Sequence, residues 1–278
     1  MVARLLISLI AIPALVGIVL LGELWFLLLV TVISLLALHE VYRIIGLCGI
    51  KAYYLPGFIA LLVLLGNAYL DSVPNIAIVT LFIVSTILWN FVSVLILRLR
   101  AVHHTTPMNS VNAEFNNAIF TIMGSLYIGW PLSLAISIRE ESDGIFWILL
   151  VMLGTFATDT ASFFVGKIMG RHQLAPSISP NKTVEGSLGG VVVGATVILI
   201  MLDILNLELN SVPAAVLFSV MFTISAQVGD LLESMLKRKA LIKDSGSIIP
   251  GHGGVLDRLD SIVLVLLFVY YSRLWVIS

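Results

Sequence analysis

The chain has 278 residues, 59% of them hydrophobic and 11% charged, and a mean hydropathy of +1.10. A water-soluble domain carries about 25% charged residues, and 15 Lys plus Arg with 16 Asp plus Glu cannot clothe a surface of this size, which excludes a soluble globular domain and a disordered chain. The single cysteine, Cys48, excludes an intrachain disulfide framework and a four-cysteine zinc site.

Taken in chain order, Met1-Val2-Ala3-Arg4 leads into an uncharged run over 5–22. A cleaved signal peptide is one reading, but no small-x-small cleavage site follows, and an anchor helix fits better. Further uncharged runs cover 24–39 (extending through Glu40 towards Tyr42), 52–70, 72–97, 115–138, 144–166 with Asp159 inside, 186–202, 209–229, and 261–272 continuing across Arg273. A membrane-crossing helix needs roughly 20 apolar residues, and continuous rather than alternating runs do not suit a β-barrel. The pattern predicts an all-α, polytopic integral membrane protein with about nine transmembrane helices. One membrane domain is expected over 1–278: helices 1–4 within 1–115 as scaffold or dimer contacts, and helices 5–9 within 116–278 carrying the polar site.

The connections alternate in sign. All Lys and Arg other than Arg139 and Arg273 fall on one side, including Arg43, Lys51, Arg98, Arg100, Lys167, Arg171, Lys182 and the cluster Lys237, Arg238, Lys239, Lys243 and Arg258. The positive-inside rule places that side in the cytoplasm. The N-terminus is then cytoplasmic and the C-terminus extracytoplasmic.

Three stretches hold polar groups too costly to be incidental in a membrane. Asp159 lies within a span, where an ionisable group needs pairing, water or metal. It reads either as a helix–helix contact bonded to threonine hydroxyls or as a site group, with Lys167 two turns on and roughly on the same face. The loop 167–186 is rich in turn formers and presents Asn181 and Lys182 before a helix expected to start near Ser187, a natural phosphate-binding corner. Asn181-Lys182-Thr183 also matches a glycosylation sequon, on the wrong side of the membrane for it. The densest stretch is 227–260. Asp230 closes the eighth run, and Glu233 and Ser234 follow on one helical face. Asp257 and Asp260 share a face if the ninth helix starts there. Gly253-Gly254 lets the backbone approach an anion closely.

Carboxylates beside dense Lys and Arg suggest Mg²⁺ with phosphates, since Mg²⁺ prefers oxygen ligands and keeps substrate phosphates in its shell. Contact with anionic lipid explains the basic run alone but not the neighbouring acids. No Walker loop is present, and His39-Glu40 lacks the second histidine of a zincin helix. His103-His104 carries little information, and nothing points to nucleic acid, haem or flavin.

The stretch Ser234-Met235-Leu236-Lys237-Arg238, followed after four residues by Lys243-Asp244-Ser245-Gly246-Ser247-Ile248-Ile249-Pro250-Gly251-His252-Gly253-Gly254-Val255-Leu256-Asp257-Arg258-Leu259-Asp260, closely resembles the signature of the phosphatidate cytidylyltransferases, also called CDP-diacylglycerol synthases. Ser179-Pro180-Asn181-Lys182-Thr183-Val184-Glu185-Gly186-Ser187 and Thr158-Asp159-Thr160-Ala161 resemble the family's other shared blocks. The N-terminal half resembles it only in being several membrane helices.

The resemblance implies conversion of CTP and phosphatidate to CDP-diacylglycerol and pyrophosphate, with Mg²⁺, a second cation such as K⁺, and a homodimer in the bacterial cytoplasmic membrane. The active site would face the cytoplasm, and phosphatidate would enter sideways from the inner leaflet. It implies Asp230 and Asp257 as metal ligands, with Asp159 as a third acidic group. Asp260 would be an outer ligand or orient Lys243. Lys237, Arg238, Lys243 and Arg258 would neutralise phosphates, and Asp244 belongs to the same catalytic set. His252 would orient a phosphate or protonate the leaving group. Gly253 and Gly254 would donate backbone N–H groups, and Asn181, Lys182, Lys167 and Ser234 would line the substrate site. The alternatives are a CTP-dependent lipid kinase of the polyprenol or dolichol type and an ion-coupled transporter. The latter should show inverted repeats, and none is evident.

Overall fold

The computed structural model describes residues 13–100, 108–207, 209–248 and 253–276. In chain order these form α1 (residues 13–21), α2 (Glu23–Leu47), α3 (Tyr54–Leu70), α4 (Asn75–Arg100), α5 (Met108–Arg139), α6 (Gly144–Met169), β1 (Gln173–Ala175), β2 (Ser179–Thr183), α7 (Val184–Ile204), α8 (Val212–Lys239) and α9 (Leu256–Val276). The protein is a polytopic helical membrane protein. Among the described residues, five stretches are long and apolar enough to cross a membrane unaided: Leu24–Leu47, Ala113–Arg139, Gly144–Met169, Val184–Ile204 and Val212–Lys239. The apolar stretches Tyr54–Leu70 and Ile76–Val92 are shorter.

Two expectations are corrected. The 167–186 connection is not purely irregular: β1 and β2 pair antiparallel, Gln173 opposite Thr183 and Ala175 opposite Ser179. The next helix begins at Val184 rather than near Ser187, because the Thr183 hydroxyl accepts the Gly186 N–H at 3.1 Å and caps it. α8 runs past the apolar run through Asp230, Glu233 and Ser234, which share one helical face as expected, to Lys239. Within its polar last turns Lys237 Nζ lies 2.5 Å from Glu233 Oε2 one turn back.

α5 is the hub, packing against α2, α3, α4, α6 and α9. The α2–α3–α5 junction forms around Tyr42, which is buried. Its hydroxyl donates to the Thr121 carbonyl at 2.8 Å and lies 2.6 Å from Ser125 Oγ. Gly57 and Gly124 make room for the ring: a Cβ on Gly124 would sit 2.6 Å from Tyr42 Cε1, and one on Gly57 would collide with the hydroxyl. Overpacking of this kind costs about 1–3 kcal/mol. G57A is therefore expected to lower the thermal unfolding midpoint in detergent; an unchanged midpoint would mean Tyr42 moves aside freely.

The α6–α7 pair is the closest contact around the site. Gly186, Gly190 and Gly194 recur at four-residue spacing and form one small-residue face, the device by which membrane helices approach at backbone distance. A Cβ on Gly186 would lie 2.8 Å from the Ser162 carbonyl, and one on Gly194 2.8 Å from Thr158 Oγ1.

Polar contacts sort the helix ends onto two faces. On one, Arg139 Nε donates to the Val19 carbonyl at 2.8 Å. There too, Arg273 pairs with Glu141 and Asp143 and stacks 4.8 Å over Trp147. These are the two cations that the charge pattern sets apart. On the other face, Arg43 donates to the Ser245 carbonyl. The backbone N–H groups of Arg171 and His172 reach Glu185 Oε2 at 3.0 and 3.2 Å there. This second face carries the chemistry-bearing blocks named above by resemblance.

Candidate functional site

A cavity of about 470 Å³ opens between α6, the hairpin, α7 and α8, lined by Asp159, Lys167, Asn181, Lys182, Gln227 and Asp230 among others. Asp159, Ser162, Phe163, Gly166 and Lys167 reach it together because spacings of three and four share one helix face. β2 runs straight into the capped start of α7, which sets Lys182 over the opening. Its Nζ lies 2.5 Å from Asp230 Oδ2, both side chains about one quarter exposed (28% and 27%). Ser187 of α7 and Gln227 of α8 exchange two hydrogen bonds, Ser187 Oγ to Gln227 Oε1 and Gln227 Nε2 to the Ser187 carbonyl at 3.1 Å.

Gly229 brings α9 against α8, since a Cβ there would meet the Asp260 carbonyl and would lie 3.2 Å from Ser261 Cα. This close approach puts Asp260 beside Asp230. Asp159, Asp230 and Asp260 lie near enough for each to feel the others' charge. Asp159 is exposed where it lines the cavity, and Ser261 Oγ donates to its Oδ2 at 3.4 Å. Ser234 Oγ donates to Asp230 Oδ1, also at 3.4 Å. Lys182 and Lys237 are the cations that offset this acidic group.

Beside it lies an ion-paired triad. Lys237 Nζ stands 2.5 Å from Glu233 Oε2 and 2.7 Å from Asp257 Oδ1. The Glu233 side chain is fully buried (0%), so it depends on this partner, as an unpaired buried charge costs several kcal/mol. Asp257 also accepts from the backbone N–H groups of Ser245 at 3.0 Å and Gly254 at 2.8 Å. Gly253 adopts φ +84°, where a side chain is strained, and a Cβ there would sit 2.7 Å from Asp257 Oδ2.

Sequence reasoning missed Glu40 as a site component. It is 1% exposed on α2, and its carboxylate accepts from Ser245 Oγ at 2.9 Å, Val255 N–H at 3.1 Å and Leu256 N–H at 2.8 Å. A side chain on Gly246 or Gly254 would collide with it. The available signal was an acidic residue inside an apolar run, the same signal that drew attention to Asp159.

The expected residues thus divide. Asp159, Lys167, Asn181, Lys182 and Asp230 line the cavity; Ser234 bonds Asp230, and Asp260 lies next to it across the α8–α9 contact at Gly229. Lys237 and Asp257 are paired beside it. The Gly254 N–H, expected to meet a phosphate, is already bonded to Asp257, and the glycine's bareness serves Glu40. Arg238, expected among the phosphate-neutralising cations, bonds the Ile178 carbonyl of the hairpin turn at 3.0 Å and the Ile242 carbonyl at 3.2 Å. Lys243, Asp244 and Arg258 are exposed around the loop and the first turn of α9. His252 lies outside the described residues.

Carboxylate oxygens on Asp159, Asp230 and Asp260 are hard donors of the kind Mg²⁺ takes. Among the described residues, no three His, Cys, Asp or Glu gather closely enough to hold an ion alone. Mg²⁺ is commonly held by one or two carboxylates together with substrate phosphates, and this donor set fits that mode.

A profile of the cytidylyltransferase family matches residues 2–275. The chain is 34% identical over 270 residues to a phosphatidate cytidylyltransferase of Staphylococcus haemolyticus, covering 96% of each chain. It is 34% identical over 262 residues to one of Bacillus subtilis, covering 91% of this chain and 90% of the other. A Staphylococcus aureus relative of the same description is 33% identical over 272 residues.

Proposed function

The chain belongs to the cytidylyltransferase family, and from that premise we propose that it transfers CMP from CTP to phosphatidate, forming CDP-diacylglycerol and pyrophosphate. The observation that carries this reading is the convergence of Lys182, Asp230, Asp159, Asn181 and Lys167 on one cavity, beside the Lys237–Asp257 pair. Acids that suit a metal and cations that suit phosphate sit within one ion-pair distance of each other.

The reaction is an in-line attack. A phosphate oxygen of phosphatidate bonds to the α-phosphorus of CTP, and the bond to the bridging oxygen of the leaving pyrophosphate breaks. The nucleophile is already an anion, so positioning and charge stabilisation do most of the catalysis. Asp230 and Asp257 would hold Mg²⁺, with Asp159 and Asp260 completing the acidic wall. When bound, Mg²⁺ supplies positive charge to the phosphates as they pass through the transition state. Lys182 and Lys167 face the triphosphate from the hairpin side, Lys243 and Arg258 from the loop side, and Asn181 offers a neutral hydrogen-bonding group. Lys182 must let go of Asp230 to meet a phosphate, an exchange of one anion for another.

Phosphatidate keeps its tails in hydrocarbon and enters sideways, where exposed Phe163 lines the cavity. The basic face is cytoplasmic by the positive-inside rule. We place the N-terminus on that side, the C-terminus on the other, and nine crossings between them, with the protein a homodimer. Helices α1–α4 would then act as scaffold for the site on α5–α9.

The test is product identification with purified protein, phosphatidate, Mg²⁺ and CTP labelled in the α-phosphate. Label in the lipid with release of pyrophosphate is expected. Release of CDP with unlabelled phosphorylated lipid would sink the reading in favour of a lipid kinase.

A further inference from the structure

We infer that Glu40 is a positioning residue for this reaction, acting through the loop that orients Asp257. The inference rests on the proposed transfer reaction and adds to it a residue from outside the resembling blocks. Glu40 stands on α2, 205 residues from Ser245 and 216 from Leu256, yet it ties Ser245, within the loop between α8 and α9, to the start of α9. Its Oε1 takes the Val255 N–H, and its Oε2 takes the Leu256 N–H and the Ser245 hydroxyl. The first N–H groups of a helix have no partner within it and carry the positive end of its dipole. A carboxylate borrowed from another helix satisfies them here.

The connection to Asp257 is direct. The backbone N–H of Ser245 bonds both oxygens of Asp257 at 3.2 and 3.0 Å, while Gly254, whose N–H bonds Oδ2, packs against the Glu40 carboxylate. Arg43, one turn along α2, holds the Ser245 carbonyl. The α8–α9 loop at Ser245 and the start of α9 thus meet at one buried carboxylate of α2. The two groups that aim Asp257, the Ser245 and Gly254 N–H groups, both lie against it. Glu40 itself faces the protein interior and not the cavity, so it does not touch substrate.

Glu40→Gln preserves shape but offers one oxygen and one amide donor. Whichever way it turns, the N–H of Val255 or of Leu256 meets an N–H, and the loop loses an anchor. Purified E40Q in detergent is expected to keep the wild-type unfolding midpoint. Its kcat should fall about 10–100-fold, the usual cost of losing an outer-shell partner, with KM for phosphatidate unchanged. Binding of Mn²⁺ in the presence of CTP and without phosphatidate, followed by electron paramagnetic resonance, should weaken by about 10-fold. Wild-type kcat and Mn²⁺ binding in folded E40Q would overturn the inference. So would lost activity that tracks a lowered midpoint while the folded fraction binds Mn²⁺ normally.

If E40Q does not fold, Ser245→Ala removes one donor to Glu40 and keeps the Ser245 backbone N–H. A smaller change in the same two readouts supports the inference, and wild-type values in both defeat it. Failure of wild-type protein to make CDP-diacylglycerol would instead strike the proposed reaction, leaving the Mn²⁺ comparison to decide Glu40 by itself.

Discussion

D257N is expected to lower kcat by about 10²–10³-fold, the scale of removing one preorganised electrostatic group from a transfer site, with the protein still folded. Asp257 meets Lys237 at 2.7 Å and two backbone N–H groups at 3.0 and 2.8 Å. Asparagine keeps one oxygen for those N–H groups, so the loop retains part of its anchor. Lys237 keeps Glu233 as a partner 2.5 Å away, so no buried cation is stranded. What disappears is one negative charge at the edge of the acidic wall, and with it a hard ligand for Mg²⁺. The measurement is CMP transfer from labelled CTP into lipid by purified D257N over a Mg²⁺ series. Near-normal turnover at saturating Mg²⁺ would remove Asp257 from the metal-holding set, leaving Asp230, Asp159 and Asp260.

K182M should lower kcat/KM for CTP by about 10²-fold, a loss of roughly 2.7 kcal/mol of transition-state stabilisation. Methionine has nearly the length of lysine without the charge, so the hairpin should remain in place, held by its own strand pairing and by the Glu185 contacts to Arg171 and His172. Two effects combine. Asp230 loses the counter-ion at 2.5 Å while still beside Asp159 and Asp260, so the resting cavity becomes more negative. A triphosphate entering that cavity also loses the cation best placed to receive it. Initial rates against CTP concentration at fixed phosphatidate separate the outcomes. A fall confined to kcat/KM marks Lys182 as a substrate contact, whereas unchanged kinetics would reduce it to a resting counter-ion of Asp230.

Much of the site was legible because membranes make polar residues expensive. Asp159 inside an apolar run, Lys182 beside turn formers, and Asp230 ahead of a basic cluster each stand out against a chain that is 11% charged. The face-sharing of Asp257 and Asp260 followed from helical periodicity once α9 began at Leu256. The hairpin at 173–183 was not legible: its strands are three and five residues long, too short for alternation to register. The continuation of α8 past Asp230 was legible in the helical spacing of Asp230, Glu233 and Ser234. The resemblance placed Arg238 among the phosphate-neutralising cations, and the bonds of its guanidinium to the Ile178 and Ile242 carbonyls depend on tertiary contacts that composition does not show.

The sequence by itself determined the solvent this protein lives in, the helical architecture and the small set of ionisable residues that the bilayer tolerates only with partners. Those follow from local quantities, namely the hydropathy of a run, the spacing along a helix and the sign of each connection. Tertiary structure alone decided which partner each charge takes: Lys182 with Asp230, Lys237 with Glu233 and Asp257, and Glu40 with the start of α9. Pairing depends on which helices lie side by side and how closely. Here the bare faces of Gly186, Gly190 and Gly194 bring α7 onto α6, and Gly229 brings α8 onto α9. Such contacts join residues far apart in the chain, and no local pattern encodes them.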